Sequence, residues 1–282
     1  PYDVDTPVGV QTYDIALVSA GLAKRAVEDV YLGRYQNAYS LSRPPGHHAT
    51  KNQAMGFCYL NNIAIAIEYV KKHHGLSRVA IIDWDVHHGN GQQEIFYDRD
   101  DVLTISLHQE NNFPNDALLP NSEAMSSIDA RGEGNGLGYN INLSLLPGSG
   151  HEIYLHALKT IALPAIEAFN PEMIIIASGF DANTLDPLGR MMLHSDSYRA
   201  MTALVKETAE KICNGKLVMT HEGGYSESYV PFCGLAAIEA LSGINTEVET
   251  PDLDFALAQQ PGDTFNQFHK AIIDRWIPHF LK

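Results

Sequence analysis

A chain of 282 residues with 45% apolar side chains can bury a sizeable core, and no Ser/Gly/Pro-rich linker divides it, so one domain over residues 1–282 is expected. A formal charge of −15 argues against direct nucleic acid binding, whose footprint is basic, while tolerating cationic substrates. No apolar run approaches the roughly 18 residues a membrane span needs, and Cys58, Cys213 and Cys233 lack CxxC spacing, which fits a reducing, cytoplasmic setting rather than a disulfide framework or a thiolate zinc site.

Read in chain order, a helix-like stretch at about 13–33 leads to a strand-like run at about 38–42. That run enters Arg43-Pro44-Pro45-Gly46-His47-His48-Ala49, which presents two adjacent imidazoles on a stiff turn. A helix at about 59–74 precedes a strand at about 78–83, which runs into Asp83-Trp84-Asp85-Val86-His87-His88-Gly89-Asn90. Next come a strand at about 102–107, a long polar stretch from Gln109 to Gly138 expected to be an irregular binding loop, a strand at about 139–145 and a helix at about 151–169. A strand at about 173–178 ends in Gly179-Phe180-Asp181, and after a helix at about 195–213 a strand at about 216–220 ends in His221-Glu222-Gly223-Gly224-Tyr225. Helices at about 229–242 and 265–277 close the pattern. Alternating strands and helices, with strands apolar on both faces, predict an α/β fold with a mostly parallel sheet covered by helices. Ligands of such sheets bind beyond the carboxyl ends of the strands, where all four polar motifs fall.

An apolar strand ending in several carboxylates and imidazoles needs compensation, and a divalent metal supplies it. Side-chain alternation on an extended chain would put Asp83, Asp85 and His87 on one face, with Asp85 and His87 clasping one ion. Asp181 adds a further carboxylate. Two carboxylates and one His leave a coordination position open, the catalytic form of a zinc site. Two tandem His suit acid/base chemistry, since an unperturbed pKa near 6.5 keeps both proton states accessible.

The quartet RPPGHHA, DWDVHHGNG, SGFDA and EGGY, in this order and each at a strand end, resembles the zinc-dependent histone deacetylase family. Gly56-Phe57-Cys58 with Asn61-Asn62, the strand Leu103–His108, and Leu185-Asp186-Pro187-Leu188-Gly189 place the resemblance near the class II branch and its bacterial deacetylase-like amidohydrolases, from about Tyr13 to about Leu241. The resemblance implies a three-layer α/β/α sandwich of the arginase/deacetylase type. It also implies that several dozen family residues, with a first strand and its helix, precede Pro1, which is no natural initiator.

By the same resemblance Asp85, His87 and Asp181 hold one catalytic zinc ion, and Tyr225 helps the metal polarise an acetyl carbonyl. His48 deprotonates the attacking water and protonates the leaving amine, while His47 stays protonated. Asp83 accepts from His47, and Asn90 orients His48 without the charge of the Asp that class I relatives carry. Phe57 and Phe113 wall the channel for a lysine side chain, and the Gly56 carbonyl accepts the substrate N–H. Asn112 stands where many relatives have a phenylalanine. Asp83, Asp85, His87, Ser106 and Leu107 match a structural potassium site, whereas His88, His108 and His221 read as packing residues. The expected substrate is an acetylated lysine side chain or a similar small acyl amide. Leu188 stands where polyamine-selective relatives place an acid, which argues against acetylpolyamines. The alternatives are an acetylpolyamine or other small-amide deacetylase, a catalytically weak acetyl-lysine-binding scaffold, and an arginase-like ureohydrolase, whose second acids are replaced by Gly89 and Asn183. A homo-oligomer is compatible with all of them.

Overall fold

The computed structural model describes residues 3–115 and 121–280. Strand β2 (Val79–Asp83) is buried along its whole length. Val79 and Ile81 enter one apolar core and Ala80 and Ile82 another. A strand covered on both faces has no solvent side, which is why its sequence carries no polar residue before Asp83. The same alternation runs through β5 (Met173–Ser178), with Met173, Ile175 and Ala177 in one core and Ile174 and Ile176 in the other.

With β1 (Asn37–Ser40), β3 (Val102–Gln109), β4 (Asn140–Leu145) and β6 (Leu217–His221), these strands form one sheet in the order β1-β6-β5-β2-β3-β4. Every pairing is parallel, so the expected mostly parallel sheet is all parallel among the described residues. Helices α1 (Thr12–Tyr31), α2 (Asn62–His74) and α3 (Asn90–Phe96) contribute Val27, Ile67 and Phe96 to the core on one face. The short α4 (Ser122–Ser126) follows β3. On the other face α5 (His151–Ala157), α6 (Leu163–Phe169), α7 (Ser195–Cys213), α8 (Val230–Ser242) and α10 (Asp263–Phe280) contribute Ile153, Ile166, Met201, Ala237 and Ile273, with α9 (Leu253–Ala258) preceding α10. The result is a three-layer α/β/α sandwich. Among the described residues no helix is long and apolar enough to cross a membrane.

Register decides which motifs meet. Asp83 pairs with Ala177 and Ser106, Ala177 with Thr220, and Thr220 with Ser40. The carboxyl ends of β1, β6, β5 and β2 therefore lie level and adjacent, bringing the four motif turns to one edge.

Several expectations need correction. The extended alternation predicted beyond Asp83 does not occur: β2 stops there and the chain turns, with Asp85 Oδ1 accepting the His87 N–H at 2.9 Å. The expected strand at 38–42 ends at Ser40, and the helix expected from residue 59 begins at Asn62, where the Asn61 side chain caps it by accepting the Ala64 N–H at 3.0 Å. The single helix expected over 151–169 is divided by a π-helical turn, Leu158–Ala162, just before Pro164. Proline has no N–H for the α-helical ladder, and a wider turn accommodates it. The polar stretch after Gln109 is less irregular than expected, since it holds α4 and a 3₁₀ turn at Gly134–Gly136; part of it, 116–120, lies outside the described residues.

Candidate active site

The turn after β2 and the turn after β5 face each other. One ligand atom each of Asp85, His87 and Asp181, all three buried, lie within 4.8 Å of one another. His87 Nδ1 is 2.9 Å from Asp85 Oδ1 and 3.1 Å from Asp181 Oδ2. The remaining oxygens are held by backbone: Asp181 Oδ1 accepts the Val86 N–H at 2.7 Å and Asp85 Oδ2 the Gly223 N–H at 2.8 Å. Asp181 Oδ2, however, is buried with no donor in good hydrogen-bond geometry, its one close neighbour being the His87 imidazole. Gly223 is required by closeness, because a Cβ there would lie 2.1 Å from that same oxygen. Two buried carboxylates converging on one imidazole form a donor set that fits one divalent ion with a position left open.

The electrostatics express the same imbalance. Burial alone would push His87 down, but the Asp181 and Asp85 carboxylates outweigh it and hold the imidazole at about 10. Burial and the Asp85 charge push Asp181 up to about 7. Asp85 stays well below the carboxylate range despite burial, because His47 and His87 face it. A proton on His87 supplies the positive charge that a bound metal would otherwise provide.

The tandem pair comes from the Pro-Pro-Gly turn after β1. The rings of His47 and His48 are 3.9 Å apart, yet their partners differ in charge. His47 Nδ1 lies 3.0 Å from Asp83 Oδ2, and Gln92 Nε2 donates to the same oxygen at 2.7 Å. His48 Nδ1 lies 2.7 Å from Asn90 Oδ1. Burial would depress both imidazoles. Asp85 and Asp83 outweigh it at His47 and hold that ring at about 10, whereas burial and the like charges of His47 and His87 drive His48 well below its ordinary value. Asp83 therefore faces His47, not the three-donor cluster. Ser106 is its register partner on β3, with Leu107 next to it.

Aromatic rings enclose the cluster. His87 lies edge-on to Phe113 at 6.1 Å and to Tyr225 at 6.4 Å, His48 to Phe113 at 4.9 Å, and Tyr225 to Phe57 at 5.8 Å. Burial pushes the Tyr225 phenol far up, so it keeps its proton. Gly56 and Phe57 both have positive φ, 56° and 66°. A Cβ on Gly56 would sit 2.5 Å from the His48 ring and 2.7 Å from Phe113. Leu188, 44% exposed, lies at the rim, where its carbonyl accepts from Asn112 Nδ2 at 3.3 Å.

Five residues of this assembly carried no role in the sequence reading. Asp3 Oδ2 accepts the Gly56 N–H at 2.8 Å and Thr6 Oγ1 the Phe57 N–H at 3.0 Å, which hold that strained turn. Asp186 accepts the Tyr225 N–H at 2.7 Å and the Leu188 N–H at 2.9 Å. Gln92 supports Asp83, and Glu222 accepts from the backbone of the His turn. Asp186 and Glu222 were visible as acids inside motifs; Asp3, Thr6 and Gln92 had no local signal. His47, Cys58 and Glu222 also group closely, but His47 Nδ1 is bonded to Asp83, Glu222 Oε2 accepts two backbone N–H groups, and burial favours the protonated Cys58 thiol over the thiolate a metal binds.

The parallel sandwich with this strand-end site is the arginase/deacetylase fold: the crystal structure of the HDA15 HD domain superposes with a TM-score of 0.79 at 34% identity, over 99% of this chain and 76% of that one. A sequence model described as the histone deacetylase domain matches residues 2–241, and the chain belongs to the histone deacetylase family. It is 54% identical to a histone deacetylase-like amidohydrolase of Pseudomonas aeruginosa, over 98% of this chain and 70% of that protein. It is 41% identical to a probable deacetylase of Archaeoglobus fulgidus (86% and 65%) and 38% identical to a human polyamine deacetylase (76% and 31%).

Proposed function

We propose that this chain is a zinc-dependent amidohydrolase that removes acetyl or similar small acyl groups from lysine side chains, with Asp85, His87 and Asp181 as the metal ligands. The observation that carries this reading is the buried convergence of Asp85, His87 and Asp181, at the foot of an aromatic enclosure that also holds a neutral imidazole. A metal held there supplies Lewis-acid polarisation of the amide carbonyl and of a water molecule.

The chain's own groups do the rest. His48 donates its Nδ1–H to Asn90 and so offers Nε2 as the acceptor, and its depressed pKa keeps it neutral at the start. As the water oxygen adds to the carbonyl carbon, His48 takes the released proton. The Tyr225 hydroxyl and the cationic His47 stabilise the oxyanion that forms. When the C–N bond breaks, His48 returns the proton to the nitrogen, leaving a carboxylic acid and an amine, and the acid's proton, the second from the water, then passes to the amine to give a carboxylate and an ammonium. Phe57 and Phe113 line the path of the lysine methylenes, and the Gly56 carbonyl accepts the substrate N–H. We further propose a structural potassium ion near Asp83, Asp85, His87, Ser106 and Leu107, in keeping with the pairing of Asp83 with Ser106.

Two rivals within the fold are weaker. In place of a second set of metal-binding acids, Asn183 spends its amide on its own loop, Nδ2 to the Phe180 carbonyl and Oδ1 to the Leu185 N–H, and Gly89 has no side chain. That disfavours a two-metal ureohydrolase. One observation favours acetylpolyamines, the Asp3 carboxylate beside Gly56, but its Oδ2 already accepts the Gly56 N–H. Steady-state kcat/KM on an acetyl-lysine peptide and on acetylated spermidine tests the reading. A higher value for the peptide is expected; a tenfold preference for the polyamine, about 1.4 kcal/mol, would overturn the substrate assignment.

A further inference from the structure

Of the four carboxylates in the strand-end motifs, Glu222 alone has no task in the proposed reaction. Its side chain is 2% exposed, and a buried carboxylate persists only where its oxygens are used. Oε2 accepts the Gly46 N–H at 2.7 Å and the His47 N–H at 3.1 Å, while Oε1 accepts the Thr220 hydroxyl at 3.3 Å. Gly46 and His47 belong to the turn that carries the imidazole pair. Gly223, Gly224 and Tyr225 follow Glu222 directly. The side chain therefore joins two turns from adjacent strands, β1 and β6, that nothing in the local sequence holds together.

We infer that Glu222 is a positioning residue that locks the His47–His48 turn to the Tyr225 turn and so fixes the proton-transferring imidazole against the hydroxyl that stabilises the oxyanion. The inference rests on the proposed amide hydrolysis for its kinetic consequence, but the clamp itself is backbone geometry. What the clamp needs is an acceptor oxygen at the right reach. Glutamine keeps that reach: its oxygen can serve Gly46 and His47 while its NH₂ faces the Thr220 hydroxyl, which can accept. Aspartate keeps the charge and is one methylene too short.

The test compares Glu222→Gln with Glu222→Asp in the full chain loaded with zinc. Misplacing reacting groups by about 1 Å costs up to about 10²-fold. The Asp variant should lose about tenfold or more in kcat on an acetyl-lysine peptide, with KM within about twofold and zinc content at the parent level, whereas the Gln variant should stay within about threefold. Amide hydrogen exchange gives a readout independent of activity: Gly46 and His47 should be protected in the parent and the Gln variant and exchange faster in the Asp variant. Parent-like kcat and protection in the Asp variant, or a Gln variant that falls as far as Asp or does not fold, would overturn the clamp. Should the Asp variant not fold, the Gln variant decides alone on both readouts. A parent with no turnover would sink the proposed reaction, and the exchange data would still decide the clamp.

Discussion

The Asn90 side-chain oxygen accepts the Nδ1–H of His48 at 2.7 Å, where a carboxylate in the same place would add a full negative charge. His48 is held well below its ordinary value by burial and by the neighbouring His47 and His87. Asn90→Asp should favour the imidazolium and raise the His48 pKa by about one unit or more. Because the base must be neutral to accept a proton, the acid limb of kcat/KM should move to higher pH and activity on the acidic side should fall. A pH profile superimposable on that of the parent would remove His48 from the role of base.

Metal affinity should depend on pH in a defined direction. In the metal-free protein His87 sits at about 10 and Asp181 at about 7, so binding near neutrality must displace the His87 proton, and below about pH 7 the Asp181 proton as well. Zinc affinity should therefore rise about tenfold per pH unit between 7 and 8, and more steeply between 6 and 7. Competition against a chelating dye at the three pH values measures this. Asp181→Ala should abolish tight binding, and Gly223→Ala should weaken it, since its new Cβ would meet Asp181 Oδ2 at 2.1 Å. An affinity independent of pH would mean the metal lies elsewhere.

Tyr225→Phe deletes one donor and little else. Its backbone N–H stays bonded to Asp186, and its ring still faces Phe57 and His87. If the hydroxyl stabilises the oxyanion, kcat should fall roughly 10²-fold or more with zinc content unchanged. A loss of less than about twofold would make Tyr225 a wall residue.

Much of this site was legible because three of the four motifs begin where an apolar, buried strand stops, as Ile82 gives way to Asp83 and Ser178 to Asp181, while the half-buried β1 leads into a motif marked by its Pro-Pro-Gly turn. What joins the motifs was not. The sheet order puts Ser40 beside Thr220, and no local pattern encodes a pairing across that much chain. The start of α3 at Asn90 was missed for a related reason. Gly89-Asn90-Gly91 reads as a loop, but the free N–H groups of Gly91 and Gln92 are satisfied by the His47 carbonyl at 3.0 and 3.3 Å, a tertiary partner. Asp3, Thr6, Asp186 and Glu222 all act on backbone N–H groups, which every residue type except proline possesses, so their partners leave no residue signature.

Leu188 offers the sharpest test of substrate choice. It sits at the rim, 44% exposed, with its N–H on Asp186 and its carbonyl on Asn112, so its backbone is fixed from both sides while its side chain can be exchanged. An acetylpolyamine carries an ammonium group several methylenes from the scissile amide, and holding that charge against the apolar Leu188 side chain costs solvation. Leu188→Glu supplies the missing countercharge without touching the metal ligands. The ratio of kcat/KM for acetylspermidine to that for a neutral acetyl-lysine peptide should rise by tenfold or more, and the gain should shrink as salt is added, since a rim-exposed pair is screened. A ratio that does not move would show that the ammonium passes elsewhere, with the Asp3 carboxylate as the next group to substitute.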